Sequence, residues 1–85
     1  YAEAESLLRR AIELEPEHAS AHFYRGEALN RMSRVDEALE SMQRSLELRP
    51  GNPRAYYAMG ILYDKKALPG QAAVMYRKAR ELTPR

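Results

Sequence analysis

The 85-residue chain reads as an all-α protein, five helices arranged as a repeated helix–turn–helix unit. Three observations carry that reading. Glu13-Leu14-Glu15-Pro16, Glu47-Leu48-Arg49-Pro50 and Glu81-Leu82-Thr83-Pro84 stand 34 residues apart. The same 34-residue offset links Gly26 to Gly60, Ala21 to Ala55, Ala4 to Ala38 to Ala72, and Leu8 to Met42 to Tyr76. Between these markers apolar residues recur at helical spacing, and proline or glycine closes most of the helical stretches. A period held without a gap is the mark of a solenoid, in which each unit buries its apolar face only against its neighbours.

The elements follow in order. Residues 1–18 hold one helix, with Ala2 to Leu14 helical and Ala4, Leu7, Leu8, Ala11 and Ile12 as its apolar stripe. Pro16 ends it, because the residue before a proline avoids the helical region. Residues 19–52 form a full unit. Its first helix is expected over Ala21 to Met32, capped by the Ser20 hydroxyl, with Ala21, Tyr24, Ala28 and Leu29 turned toward the stack. A turn at Ser33-Arg34 leads to a helix from Val35 or Asp36 to Leu48, lined by Ala38, Leu39, Met42 and Leu46, with Asp36 and Glu37 placed to suit its N-terminal dipole. Residues 53–85 form the next unit. Pro53 opens a helix to about Lys66, Leu68-Pro69-Gly70 turns, and a last helix runs from Gly70 or Gln71 to Leu82. Gly26 and Gly60 cost helix propensity, and close approach of a neighbouring helix is the reason to keep them.

The repeated positions resemble the tetratricopeptide repeat. One unit reads His22-x2-Arg25-Gly26-x2-Leu29, Ala38-x3-Met42, Pro50, and the next Tyr56-x2-Met59-Gly60-x2-Tyr63, Ala72-x3-Tyr76, Pro84. The opening segment supplies only the second half, Ala4-x3-Leu8 and Pro16, so the resemblance implies that residues 1–18 are the second helix of a unit whose first helix is missing. The resemblance implies a right-handed α-solenoid of about two and a half repeats, whose first helices line a concave surface. His22 and Arg25 depart from the family by standing where large apolar residues are usual; an Arg there lays its stem along the core and its head toward water. Ser45 replaces the alanine of Ala11 and Ala79, and its hydroxyl is expected to bond a carbonyl one turn earlier.

Composition narrows the function classes. Fourteen basic residues against twelve acidic ones give no strong pull toward nucleic acid or membrane. The acids interspersed near Arg31, Arg34, Lys65 and Lys66 argue against a nucleic-acid surface. No apolar run has the length for membrane insertion. With no cysteine, neither disulfides nor thiolate chemistry are available; this composition is compatible with the cytoplasm. His18 and His22 are four apart, but His18 precedes its helix and no Glu completes a zinc motif. The glycines are isolated rather than grouped into a phosphate cradle, and the serines lack a His–carboxylate grouping. No enzyme activity, cofactor or metal is expected.

Under the resemblance, Phe23 and Tyr57 share a position that faces the concave groove. Glu27, Asn30 and Arg31 join them from one unit, and Arg54, Ile61, Asp64 and Lys65 from the next. Aromatics and an Ile among mixed charges fit a peptide-binding groove. The carboxylate clamp known in the family is not matched, since only Arg54 fits it, while Ala58 and Tyr24 stand at its other positions. The expected function is a protein–protein interaction scaffold that takes a partner's peptide segment. The alternative is a structural spacer or self-association segment of a longer array, and the uncovered terminal helices, with Leu7, Ile12, Ala73 and Met75, make homo-oligomers an expectation.

Overall fold

Local chemistry sets where each helix begins and ends. A computed structural model describes residues 1–84, with α1 (Ala2–Leu14), α2 (Ala19–Arg31), α3 (Val35–Leu48), α4 (Pro53–Lys65) and α5 (Pro69–Leu82). Among the described residues there is no strand; Arg85, the end of the expected last unit, lies outside them. α2 starts two residues before the expected Ala21, because the cap is His18 and not Ser20. The His18 Nδ1 accepts the Ala21 amide at 3.0 Å. Asn52 occupies the same repeat position, and its Oδ1 accepts the Arg54 amide at 3.1 Å at the start of α4. α5 also begins early, at Pro69, whose fixed φ suits a first turn.

The two turns inside the units share one device. Ser33 and Ala67 have φ of 61° and 59°, the left-handed region. The Arg34 amide donates to the Leu29 carbonyl and the Ser33 amide to that of Asn30; Leu68 to Tyr63 and Ala67 to Asp64 repeat the pair. This is a Schellman closure, built here without glycine.

The short turns fold α2 against α3 and α4 against α5, and the units stack through α1 on α2 and α3 on α4. The buried cluster is Phe23, Leu29, Ala38, Leu39, Met42, Ala55, Met59 and Leu62, all from α2, α3 and α4. Burial fades toward both ends. Leu8, Ala11 and Ile12 are half-buried, while Ala4, Leu7, Leu14, Ala73 and Leu82 are exposed, because no helix covers those faces. Both conserved-spacing glycines sit beneath a side chain of their own unit. A Cβ on Gly26 would lie 2.9 Å from Met42 Cε, and one on Gly60 only 2.5 Å from Tyr76 Cε1.

Two polar residues behave differently from expectation. The Ser45 hydroxyl donates to the Ala19 carbonyl at 3.0 Å, so it ties α3 to α2 rather than bonding within its own helix. The Arg25 head does not reach for water. Its Nε pairs with Glu5 Oε2 at 3.3 Å, and its Nη1 donates to Ser41 Oγ at 3.3 Å. Glu5 is 4% exposed, and Arg9 and Arg34 stand 3.9 Å from its other oxygen. A three-helix polar seam thus joins α1, α2 and α3.

Candidate protein-interaction groove

The stacked first helices of the units, α2 and α4, give one wall of a trough, and the C-terminal half of α5 gives the other. Its volume is about 1280 Å³. Glu27, Asn30 and Arg31 reach it from α2, and Arg54, Tyr57, Ile61 and Lys65 from α4. Seven of the nine residues named from sequence therefore meet in one place. The exceptions are Phe23 and Asp64.

Phe23 is a correction. It is 4% exposed and belongs to the core, whereas Tyr57, at the same repeat position, is 56% exposed. The position is the same and the covering differs: α4 lies over Phe23, and no helix lies over Tyr57. Phe23 still acts on the groove indirectly, since its ring carries the Arg54 guanidinium 5.3 Å from its centroid. Tyr24, expected to turn toward the stack, is instead 47% exposed and sits edge-on to Phe23, with centroids 5.2 Å apart.

Asp64 stays outside the wall because it accepts the Tyr76 hydroxyl at 2.8 Å. That bond and the Tyr57 ring, 5.3 Å from the Tyr76 ring, hold Tyr76 in place above Gly60. Burial, then the hydrogen bond to the Asp64 carboxylate, pushes the Tyr76 phenol up to about 12. Lys65 donates to the Asn30 side chain and so bridges the two units along the wall. At the outer edge Arg34 holds Glu37 through two bonds of 2.9 and 2.6 Å, which lowers the carboxyl and raises the guanidinium from their ordinary values.

Sequence reasoning missed the second wall: Tyr76, Ala79, Arg80 and Thr83 of α5 and the loop after it also line the trough. It missed the Glu5 seam as well. The signal was available, since Glu5 and Arg25 are opposite charges standing in the repeat columns of Leu39 and Met59. The histidines have structural tasks. His18 caps α2, and His22 Nε2 donates to the Pro16 carbonyl at 2.9 Å. Among the described residues no three metal-ligating side chains gather, and no helix is long and apolar enough to cross a membrane.

The repeat geometry agrees with comparison to known proteins. A family model described as tetratricopeptide repeat matches residues 1–53 and again 29–85. The chain belongs to the tetratricopeptide repeat family. Its repeats are similar to part of the human protein O-mannosyl-transferase TMTC3, 32% identical over 84 residues, which is 98% of this chain and 9% of that protein. The mouse protein of the same name is 36% identical over 61 residues, 72% of this chain and 7% of its own length. Among solved structures, a crystal structure of MamA superimposes with a TM-score of 0.89 at 32% identity, over 92% of this chain and 46% of that one. The chain thus spans less than a tenth of the curated relatives' length. As a tetratricopeptide solenoid it is a scaffold for protein–protein interaction, the role this helical architecture serves.

Proposed function

We propose that the chain binds a peptide segment of a partner protein in the trough between α4 and α5. Tyr57 and Ile61 are the apolar anchors, Arg31, Arg54 and Lys65 orient acidic groups of the partner, and Asn30 bonds its backbone. The observation that carries this reading is the convergence of Arg31, Arg54, Lys65 and Arg80 with exposed Tyr57 and half-buried Ile61 around one concavity in which Glu27 is the single acid among the described residues. Aromatic and arginine side chains dominate such contacts, and a cationic rim selects acidic partners and speeds their approach. With only α2 and α4 on one wall the contact is short, and its affinity is expected at about micromolar.

A peptide-array or pull-down screen with wild type, Tyr57→Ala and Arg54→Ala tests the proposal, with helicity checked by circular dichroism. Both variants are expected to fold and to lose partner binding by about tenfold or more. If both keep every partner at unchanged affinity, the spacer reading replaces it. One observation favours that second reading: Phe23 is buried in the cluster it shares with Ala55 and Met59 of α4, as a stacking contact between units would be.

A further inference from the structure

We propose that the hollow at the boundary between the two full units is an anion site for a phosphate monoester, supplied by a phosphorylated side chain of the segment held in the trough. The anion site stands on its own geometry. Its use by that segment rests on the groove reading above.

The hollow has a volume of about 290 Å³ and opens where the start of α2, the end of α3 and the turn into α4 meet. Arg49 and Arg54 line it with Ser20, Tyr24 and Asn52, and no carboxylate does among the described residues. Neither arginine has an ion-pair partner among those residues, whereas Arg9, Arg25, Arg34, Arg44 and Lys66 each have one. Both are positioned by the protein. Arg49 Nη1 donates to the Ser20 hydroxyl at 3.5 Å, and the Arg54 guanidinium rests 5.3 Å from the centroid of the buried Phe23 ring. The Asn52 Oδ1 is already taken by the Arg54 amide. Its side-chain N–H groups and the hydroxyls of Ser20 and exposed Tyr24 leave the hollow rich in donors.

Stacking of the units does not require these charges. At the preceding boundary the repeat columns of Arg49 and Arg54 hold Glu15 and Ser20, and Glu17 adds a second acid to that turn. The turn closes in the same way at both places, with a side chain at the His18 and Asn52 column capping the next helix. The backbone is therefore built with either sign of charge, and the paired arginines belong to the second boundary alone. A phosphate monoester brings nearly two negative charges and three acceptor oxygens at neutral pH. That matches two guanidiniums, which bind such oxygens in pairs. A carboxylate brings one charge and leaves one arginine uncompensated.

Arg54 links the hollow to the trough, because it lines both. Arg49 lines only the hollow, and Arg31, Lys65 and Arg80 line only the trough. A phosphorylated side chain on a segment lying in the trough thus enters the hollow beside Arg54 and meets Arg49 beyond it. Substitution at Arg49 separates the two sites.

The first probe is phosphoserine with both backbone ends blocked, titrated into the full chain at constant ionic strength and followed by amide chemical shifts. Saturable shifts are expected at Ser20, Gly51, Asn52 and Arg54, with a Kd of about millimolar for so small a ligand. Blocked aspartate should bind about tenfold more weakly or worse, and Arg49→Gln should weaken phosphoserine by a similar factor through the lost charge-assisted bonds. Arg10→Gln, which removes the same charge from exposed α1, should change nothing. Absent saturation, equal binding of aspartate, or an unaltered Arg49→Gln chain overturns the anion site and leaves the groove reading untouched. The second probe is a pair of degenerate peptide libraries with a fixed central phosphoserine or serine. Wild type should retain the phosphoserine library about tenfold better, a preference lost in Arg49→Gln, while Tyr57→Ala should weaken both libraries. If blocked phosphoserine binds but the libraries are retained equally, or the preference is undiminished by Tyr57→Ala, the site takes free phosphate monoesters and the assignment to the trough's segment is overturned.

Discussion

Replacing Arg25 with methionine should loosen α1 from the rest of the chain far more than the loss of one surface charge would. Glu5 has a side chain only 5% exposed, and Arg25, 24% exposed, is its nearest cation at 3.3 Å. Removing one partner of a buried pair costs about 3–5 kcal/mol when the remaining charge has no other support. Here Arg9 and Arg34 remain at 3.9 Å, so Arg25→Met should cost about 2–3 kcal/mol. Glu5→Leu should cost less, about 1–2 kcal/mol, because the partly exposed Arg25 head swings to water and leucine gains by its own burial. The double variant recreates the pairing of Leu39 with Met59 one unit along, where the same columns are apolar. It should return to within about 1 kcal/mol of wild type, which sets a coupling of roughly 2–5 kcal/mol between the two sites. Urea unfolding followed by circular dichroism measures the cycle, and amide exchange should show α1 losing protection first in Arg25→Met. At 85 residues the single loss corresponds to roughly 8–20 °C in Tm. Additive effects, with a coupling below about 0.5 kcal/mol, would refute the claim that this seam holds α1 as a linked polar unit.

Three further outcomes follow from the same geometry. Gly60→Ala should destabilise by about 1–2 kcal/mol, since the new methyl meets the Tyr76 ring that Asp64 holds; Gly26→Ala should stay within about 0.5 kcal/mol, because it meets the flexible end of Met42 and gains helix propensity. A Gly60→Ala chain more stable than wild type in urea would contradict this. Spectrophotometric titration should find one tyrosine ionising near 12, and Asp64→Ala should bring it down; since the folded chain holds this proton more tightly, the associated stability is full below about pH 10 and is lost as pH rises through 12. Ala4, Leu7, Ala11 and Leu14 share one stripe of α1, with Leu7 66% and Leu14 84% exposed. Sedimentation should show concentration-dependent association through this face, closed by two-fold pairing and abolished by Leu7→Glu with Leu14→Glu; a monomer at all concentrations would exclude it.

Sequence alone determined what is local or periodic. The 34-residue offset, the apolar spacing and the prolines defined five helices and their units, because helix formation and termination depend on residues within a few positions of each other. The errors at helix starts were also local: His18 and Ser20 are both able to cap, and only the backbone geometry at Ala21 chose the histidine. Much of one wall of the trough was legible too, through the family resemblance, which implies which repeat columns face inward. Tertiary structure decided which member of each column is covered. Phe23 and Tyr57 are equivalent in sequence, yet one lies beneath α4 and the other is open, because burial belongs to the neighbouring unit and not to the residue. The same reason hid the α5 wall, and it hid the seam, in which two charges misplaced in their own columns satisfy each other across the boundary between α1 and α2.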